Sequence, residues 1–339
     1  MSMDNVMDKI LYKFRTSITP TITSVGILGN IVAIVLLIKL EKKSSVSTYV
    51  TALASAETLY LLSYKLNWIY FQFTNQLLNS RAELCQLAGF LDSSATFLVN
   101  WFMMLLCFNR LVFYWSSATY VRSCTRMRAV VVVLVVVTAC VVINLNFAVT
   151  LGVDDSGKCV IMSAHPLVMP QLKIAAEAII INLIPCVAVP LALLTCFVQR
   201  ACSRPSNSNP AHQDNFGLTF VVISVAHLLY IPLSLHRLSV VYRAITDLNY
   251  LGITNRNEWL TVAIIQNLSK LSLSVFFPTL LFWKPFRAQI VKYLLKLWKP
   301  FRAQIVKCFS RGTETGQIGD SIEMKESVPL KNKNPNPNT

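Results

Sequence analysis

The chain has 339 residues, 54% hydrophobic and only 14% charged, with mean hydropathy +0.52. A soluble domain carries about 25% charged residues, so this apolar surplus excludes an ordinary soluble globule and predicts several membrane spans. The net charge is +15 with its excess near the C-terminal end, a membrane-surface distribution that argues against a nucleic-acid partner.

Backbone groups in lipid must satisfy one another, so spans are helices or a closed barrel. Apolar runs of twenty-odd residues without period-2 alternation predict helices. Residues 1–17 are short and polar, and read as an N-terminal segment outside the bundle. Residues 18–40 form a run too long for a signal-peptide core, so they predict a first, uncleaved span, with Gly29-Asn30 inside it. The second span is predicted over residues 46–73, with Glu57 in Ala52-Leu-Ala-Ser-Ala-Glu57 and with Lys65, Asn67 and Trp68 beyond it. A buried carboxyl such as Glu57 is either kept neutral by burial or held for an ion.

The third span is predicted over residues 85–110. Its 25 steps rise about 37 Å against a hydrocarbon core of roughly 30 Å. Cys85 and Arg110 therefore lie at opposite faces. Asp92 falls about 10 Å in from the Cys85 end, where a carboxylate is costly and usually paired and functional. A fourth span, residues 129–151, is a valine-rich run whose length argues against a buried strand. A loop over residues 152–170 contains Cys159. The fifth span, residues 171–198, carries Lys173 and Glu177 near one end and Pro185 and Pro190 inside. Residues 200–215 are rich in Ser, Asn and Pro and read as a solvated connector, with Asp214 at its end.

The sixth span, residues 216–241, contains Tyr230 and Pro232, with His236 and Arg237 one turn further on. Proline inside a helix removes a hydrogen bond, so a kink is expected there. The seventh, residues 258–282, carries Asn267, Lys270, Ser272 and Ser274. An internal repeat follows: Trp283-Lys-Pro-Phe-Arg-Ala-Gln-Ile-Val-Lys292 recurs as Trp298 through Lys307, with a period of 15. Four full turns leave about 60° between copies, so residues 283–309 predict a basic amphipathic helix on a membrane surface. Residues 310–339 are polar, and disorder is expected. The expected class is thus an all-α membrane protein, a seven-transmembrane helix bundle plus an amphipathic cytoplasmic helix.

Lysine and arginine orient the chain. Eight fall in the first set of loops, seven in the opposite set, and eleven more from Lys284 onward. The positive-inside rule then puts the N-terminus outside and the C-terminus in the cytoplasm. Of nine cysteines, only Cys85 and Cys159 fall near the outer surface, the oxidising side. Cys107, Cys140, Cys186 and Cys196 read as small core residues. Cys124, Cys202 and Cys308 fall on the reduced side, with Cys308 a palmitoylation candidate.

No Walker loop, zinc-spaced Cys/His set or Gly-x-Ser-x-Gly is present, and the four histidines are scattered. No enzymatic activity, cofactor or metal is expected from these residues. The half of the bundle nearest Cys85 is two-signed. Asp92 and Glu177 suit a cationic group, while Lys65, Lys173, Arg237 and Lys270 suit carboxylates or carbonyls. Such charges either pair with one another or line a cavity for a peptide carrying both signs.

Taken together, the third-span cysteine, the Asn109-Arg110-Leu111 that ends that span, Gly29-Asn30, the Leu-Ala-x-x-carboxylate ending at Glu57 and Tyr230-Ile-Pro232 resemble the rhodopsin-like (class A) G-protein-coupled receptors, in a divergent form of neuropeptide-receptor type. The resemblance implies a Cys85–Cys159 disulfide, switch roles for Arg110, Asn30, Glu57, Pro232 and Asp214, an Asp214–Arg110 contact, and an eighth helix at Phe286-Arg287. Sodium at Glu57 is implied only by this resemblance. It also implies an extracellular ligand, a short peptide being favoured, a heterotrimeric G protein as partner, and a plasma-membrane location among lipids. Asp92, Glu177, Lys65, Lys173, Tyr230, His236, Arg237 and Lys270 would meet the ligand. Several motifs depart from the family pattern: Asn109 and Leu111 beside the arginine, the missing fourth-span tryptophan, Tyr230 for tryptophan, and Phe277-Pro278 without the flanking Asn and Tyr. Three alternatives stay open. One is an opsin-like photoreceptor with retinal on Lys270. The second is a non-signalling transporter or interaction protein, and the third a receptor that no longer couples.

Overall fold

The computed structural model describes residues 13–39, 44–74, 81–115, 123–153, 159–161, 178–202, 229–239 and 256–280, together with residues 243, 287, 290–292, 295, 296 and 298. Nearly all of them are helical. A π-helical turn, Phe14–Ile18, leads into α1 (Thr19–Ile38), followed by α2 (Ser45–Thr74), α3 (Ala82–Trp115) and α4 (Arg126–Thr150). Two short strands come next, β1 (Leu151–Val153) and β2 (Cys159–Ile161). A second π-helical turn, Ile179–Leu183, leads into α5 (Ile184–Cys202). Residues 229–239 form the helical segment α6, and α7 is Arg256–Leu280.

Local chemistry sets the helix starts. Pro20 sits in the first turn of α1, where its missing N–H costs nothing. The Ser44 backbone N–H donates to Ser47 Oγ at 2.9 Å and the Ser47 N–H to Ser44 Oγ at 3.2 Å. This reciprocal cap satisfies two donors that the first turn of α2 leaves open.

Among the described residues, four stretches are long and apolar enough to cross a membrane: Thr16–Ile38, Ala82–Phe113, Arg126–Leu145 and Ile179–Gln199. Their exposed faces are the apolar ones. α1 buries Thr23, Gly26, Asn30 and Ala33 while exposing Val25, Leu28, Val32 and Ile38. In α4, Leu134 is 60% and Val142 69% exposed. Water would oppose that pattern and lipid accepts it, so the build is that of a membrane-embedded protein. Several helix hydroxyls are satisfied within their own helix: Thr51, Ser55 and Thr58 of α2, Thr96 of α3 and Thr195 of α5 each donate to the carbonyl four residues earlier. In the most apolar window of α3, 56% of residues are buried, against 22% in α4, so α3 is the central helix and α4 peripheral.

Side-chain contacts give the direction of each helix. Leu61 and Glu57 of α2 lie beside Gly26 and Asn30 of α1, so these two run antiparallel. Ser45 meets Asn109, while Tyr64 lies within electrostatic reach of Asp92, so α3 reverses α2. Ser93 donates to Asn144 at 2.5 Å, and Gly89 packs against Leu151, so α4 reverses α3. α5 runs with α3, since Asn100 meets Ile181 and Arg110 acts on Cys196. α6 opposes α3 through Asp92 with Arg237 and Thr96 with Tyr230. α7 runs with α1: Thr19 donates to Asn267 at 2.7 Å and Ser274 to the Ile22 carbonyl at 3.0 Å. The helices therefore alternate in direction. At Gly26 an added Cβ would collide with Ser274 Oγ and Leu61 Cδ1. Only glycine allows α1 to approach α7 and α2 so closely there.

The second π-helical turn is held by α3. Pro185 has no N–H, so one of the two carbonyls it would reach, Ile181 four residues back or Ile180 five back in the π register, loses the donor that the helix would offer. Asn100 Nδ2 donates to Ile181 O at 2.8 Å, and Trp101 Nε1 to Ile180 O at 3.3 Å. Asn100→Ala is expected to cost about 0.5–2 kcal/mol. In a Pro185→Ala background the restored backbone N–H should remove most of that cost. Denaturant titration of the four variants in a lipid mimetic measures the coupling, and strict additivity would show that proline and amide act independently.

Boundaries shift from the sequence expectations. Residues 13–17, expected as part of a polar terminus, are already helical. α3 extends beyond residues 85–110 at both ends, because its added residues include Ala82, Glu83, Leu84 and Phe113, good helix or membrane-interface residues. Leu151, expected at the end of the fourth span, belongs to a strand. The expectation of an all-α chain is thus corrected by one antiparallel hairpin, in which Leu151 pairs with Ile161 and Val153 with Cys159. From Val291 onward a separate unit contains helical residues 291, 292, 295, 296 and 298, with Val291, Leu295 and Trp298 exposed at a spacing that shares one helix face.

Candidate functional site

α3 carries the two ends of the functional axis. Cys85 is fully buried and disulfide-bonded to Cys159 of β2, with Cα atoms 5.7 Å apart. Gln86 Nε2 donates to the Leu151 carbonyl at 3.0 Å. The hairpin is thus fixed to the first turn of α3 at both of its strands. At the opposite end, Asn109 Nδ2 donates to Ser45 Oγ at 3.2 Å, and Arg110 is half-buried within electrostatic reach of Cys196. Asp214, the expected partner of Arg110, lies outside the described residues, as do Lys173 and Glu177. Cys124, beyond that end of α3, is half-buried, and burial pushes its thiol up.

Between these ends, nearer Cys85, a charged and tyrosine-rich cluster forms from α2, α3, α6 and α7. Arg237 donates to Asp92 Oδ2 at 2.9 Å and to Thr96 Oγ1 at 2.8 Å. Thr96 is one turn beyond Asp92, so both acceptors share a face of α3. The Asp92 side chain keeps 38% of its surface accessible and Arg237 24%. The pair is therefore partly accessible and does not seal a core. Lys270 is 3% exposed, with Nζ 3.8 Å from the Tyr64 ring centroid. Tyr60 and Tyr64 lie one turn apart on α2, with ring centroids 5.1 Å apart. Tyr230 is buried beside Thr96, and its hydroxyl has no hydrogen bond of good geometry. Lys65 stacks over Trp68 at 4.3 Å.

The sequence left Asp92 open between a cation acceptor and an ion-pair partner; here it is an ion-pair partner. Lys65 and Lys270 instead lie against aromatic rings. Pro232 and His236 are half-buried in α6. The residues before 229 lie outside the description, so the expected kink has no described inner arm. Tyr60, Tyr64 and Thr96 were missed. Their signal is positional: Tyr60 and Tyr64 lie one and two turns past Glu57, and Thr96 one turn past Asp92.

Further along, Glu57 is fully buried with Asn30 in reach of its carboxyl. Neither the carboxylate nor the amide has a hydrogen bond of good geometry. No cluster of three or more His, Cys, Asp or Glu side chains forms among the described residues. An apolar hollow of about 560 Å³ runs along α4 between Val131 and Ile143. Its only polar side chain is Thr138, and it reads as lipid-facing surface.

In comparisons with known proteins, no family model and no curated protein matches the chain.

Proposed function

We propose that the chain is a seven-helix receptor of the rhodopsin-like kind, in the plasma membrane with its N-terminus outside. It binds an extracellular ligand, a short peptide being favoured, and signals to a cytoplasmic heterotrimeric G protein. One observation carries the reading. On a single central helix, a disulfide-tethered hairpin stands at one end, an arginine at the other, and a partly accessible charged cluster between them. Alternating helix directions and lipid-suited surfaces support it, as does the lysine- and arginine-rich C-terminal segment.

In this mechanism ligand contacts with the cluster groups on α3, α6 and α7 favour one of two bundle states. Arg237 joins α6 to Asp92, so a ligand that competes for or reinforces that pair shifts α6 against α3. Arg110, on the same helix some 18 residues further on, or about 27 Å, is the output end. Arg110→Ala is expected to keep ligand binding while ligand-driven nucleotide exchange falls at least tenfold. Exchange at the wild-type level in that variant would remove the signalling mechanism.

A second reading rests on Lys270, a buried amine among tyrosines in a membrane helix, which suits an aldehyde chromophore. An absorption band in retinal-reconstituted protein that disappears in Lys270→Ala would favour it over the peptide receptor.

A further inference from the structure

Among the described residues, the cluster holds one carboxylate and two cations, Asp92 with Arg237 and Lys270. Arg237 is committed to Asp92 at 2.9 Å and to Thr96 at 2.8 Å. Asp92 Oδ1 keeps no hydrogen-bond partner, but the guanidinium on Oδ2 already offsets the charge that a ligand ammonium would seek. Lys270 is different. It is 3% exposed, its ammonium lies over the Tyr64 ring, and Asp92 reaches it only through space. It makes no hydrogen bond or ion pair with any of the described residues. A ring face offsets only part of the cost of desolvating an ammonium. Near Thr96, the buried Tyr230 hydroxyl has no hydrogen bond of good geometry. Among the described residues the site thus has one positive charge in excess of its one carboxylate.

We propose that this cluster is built for a carboxylate, the anionic end of its ligand, bound by Lys270 with the tyrosines packing against the adjoining apolar or aromatic part. An amine-first ligand would meet two cations and an acid already taken. The proposal rests on the receptor reading only in treating the cluster as a ligand site.

The test uses the full chain in lipid nanodiscs and three matched probes: 3-phenylpropionate, its amide and 3-phenylpropylamine. At ten times its dissociation constant the acid should raise the unfolding temperature by about 2–4 °C, with no shift from amide or amine. Lys270→Met should abolish the shift and Lys270→Arg should retain it. In Arg237→Met/Lys270→Met, Asp92 is left as the sole charge of the three, and the shift should pass to the amine. The proposal is overturned by an amine-selective shift in the wild type, by equal shifts from acid and amide, by an acid shift that survives Lys270→Met, or by no shift from any probe. No readout involves a G protein. An acid-selective shift without nucleotide exchange would therefore remove the signalling reading alone, and an amine-selective shift would remove the carboxylate alone.

Discussion

Cys85→Ser and Cys159→Ser are each expected to destabilise the chain by about 4 kcal/mol, the chain-entropy value for a disulfide closing a separation of 74 residues. The bond ties the hairpin to the start of α3; among the described contacts, the Gln86–Leu151 hydrogen bond and the packing of Gly89 on Leu151 remain at that corner when it is lost. Cys85 is also fully buried, so serine there adds a small packing term that Cys159→Ser lacks. Denaturant titration in a lipid mimetic, with thiol counting under non-reducing conditions, checks the prediction. The double variant should cost no more than the costlier single one, because one bond is lost in every case. Costs that simply add would mean that the two cysteines act through their separate surroundings.

The spans were legible because their signal is long and redundant. An apolar run of twenty residues survives any single departure, so α1, α3, α4 and α5 stand where the hydropathy puts them. α2 and α7 are helices whose apolar runs are weaker, and several residues that lower their hydropathy, Glu57, Tyr60, Asn267 and Lys270, are buried. What was not legible depends on pairs distant in sequence. Nothing local says that Asp92 is taken by Arg237, 145 residues away, or that Asn100 serves a carbonyl in the turn before Pro185. Each partner is a plausible lone polar residue until the helices are brought together. The hairpin was hidden for the opposite reason, since three-residue strands are too short to carry a period.

The same pairing sets the last prediction. Asp92→Ala removes the acceptor of a guanidinium held inside the bundle, and Thr96 alone remains to it. Breaking a fully buried pair from one side costs about 3–5 kcal/mol. Here both side chains keep accessible surface, 38% and 24%, so water screens part of the loss and about 2–3 kcal/mol is expected. Asp92→Asn preserves an acceptor without its charge and should cost less. Asp92→Ala/Arg237→Met should recover most of the loss, since no uncompensated charge then remains. Asp92→Ala also frees Arg237 beside Lys270, so the variant should bind 3-phenylpropionate more tightly than the wild type even as its unliganded form is less stable. Stability and acid affinity moving in opposite directions in one variant is a result that a purely structural ion pair would not produce. If Asp92→Ala left stability unchanged, or weakened acid binding, Asp92 would not be the group that holds Arg237 away from the ligand.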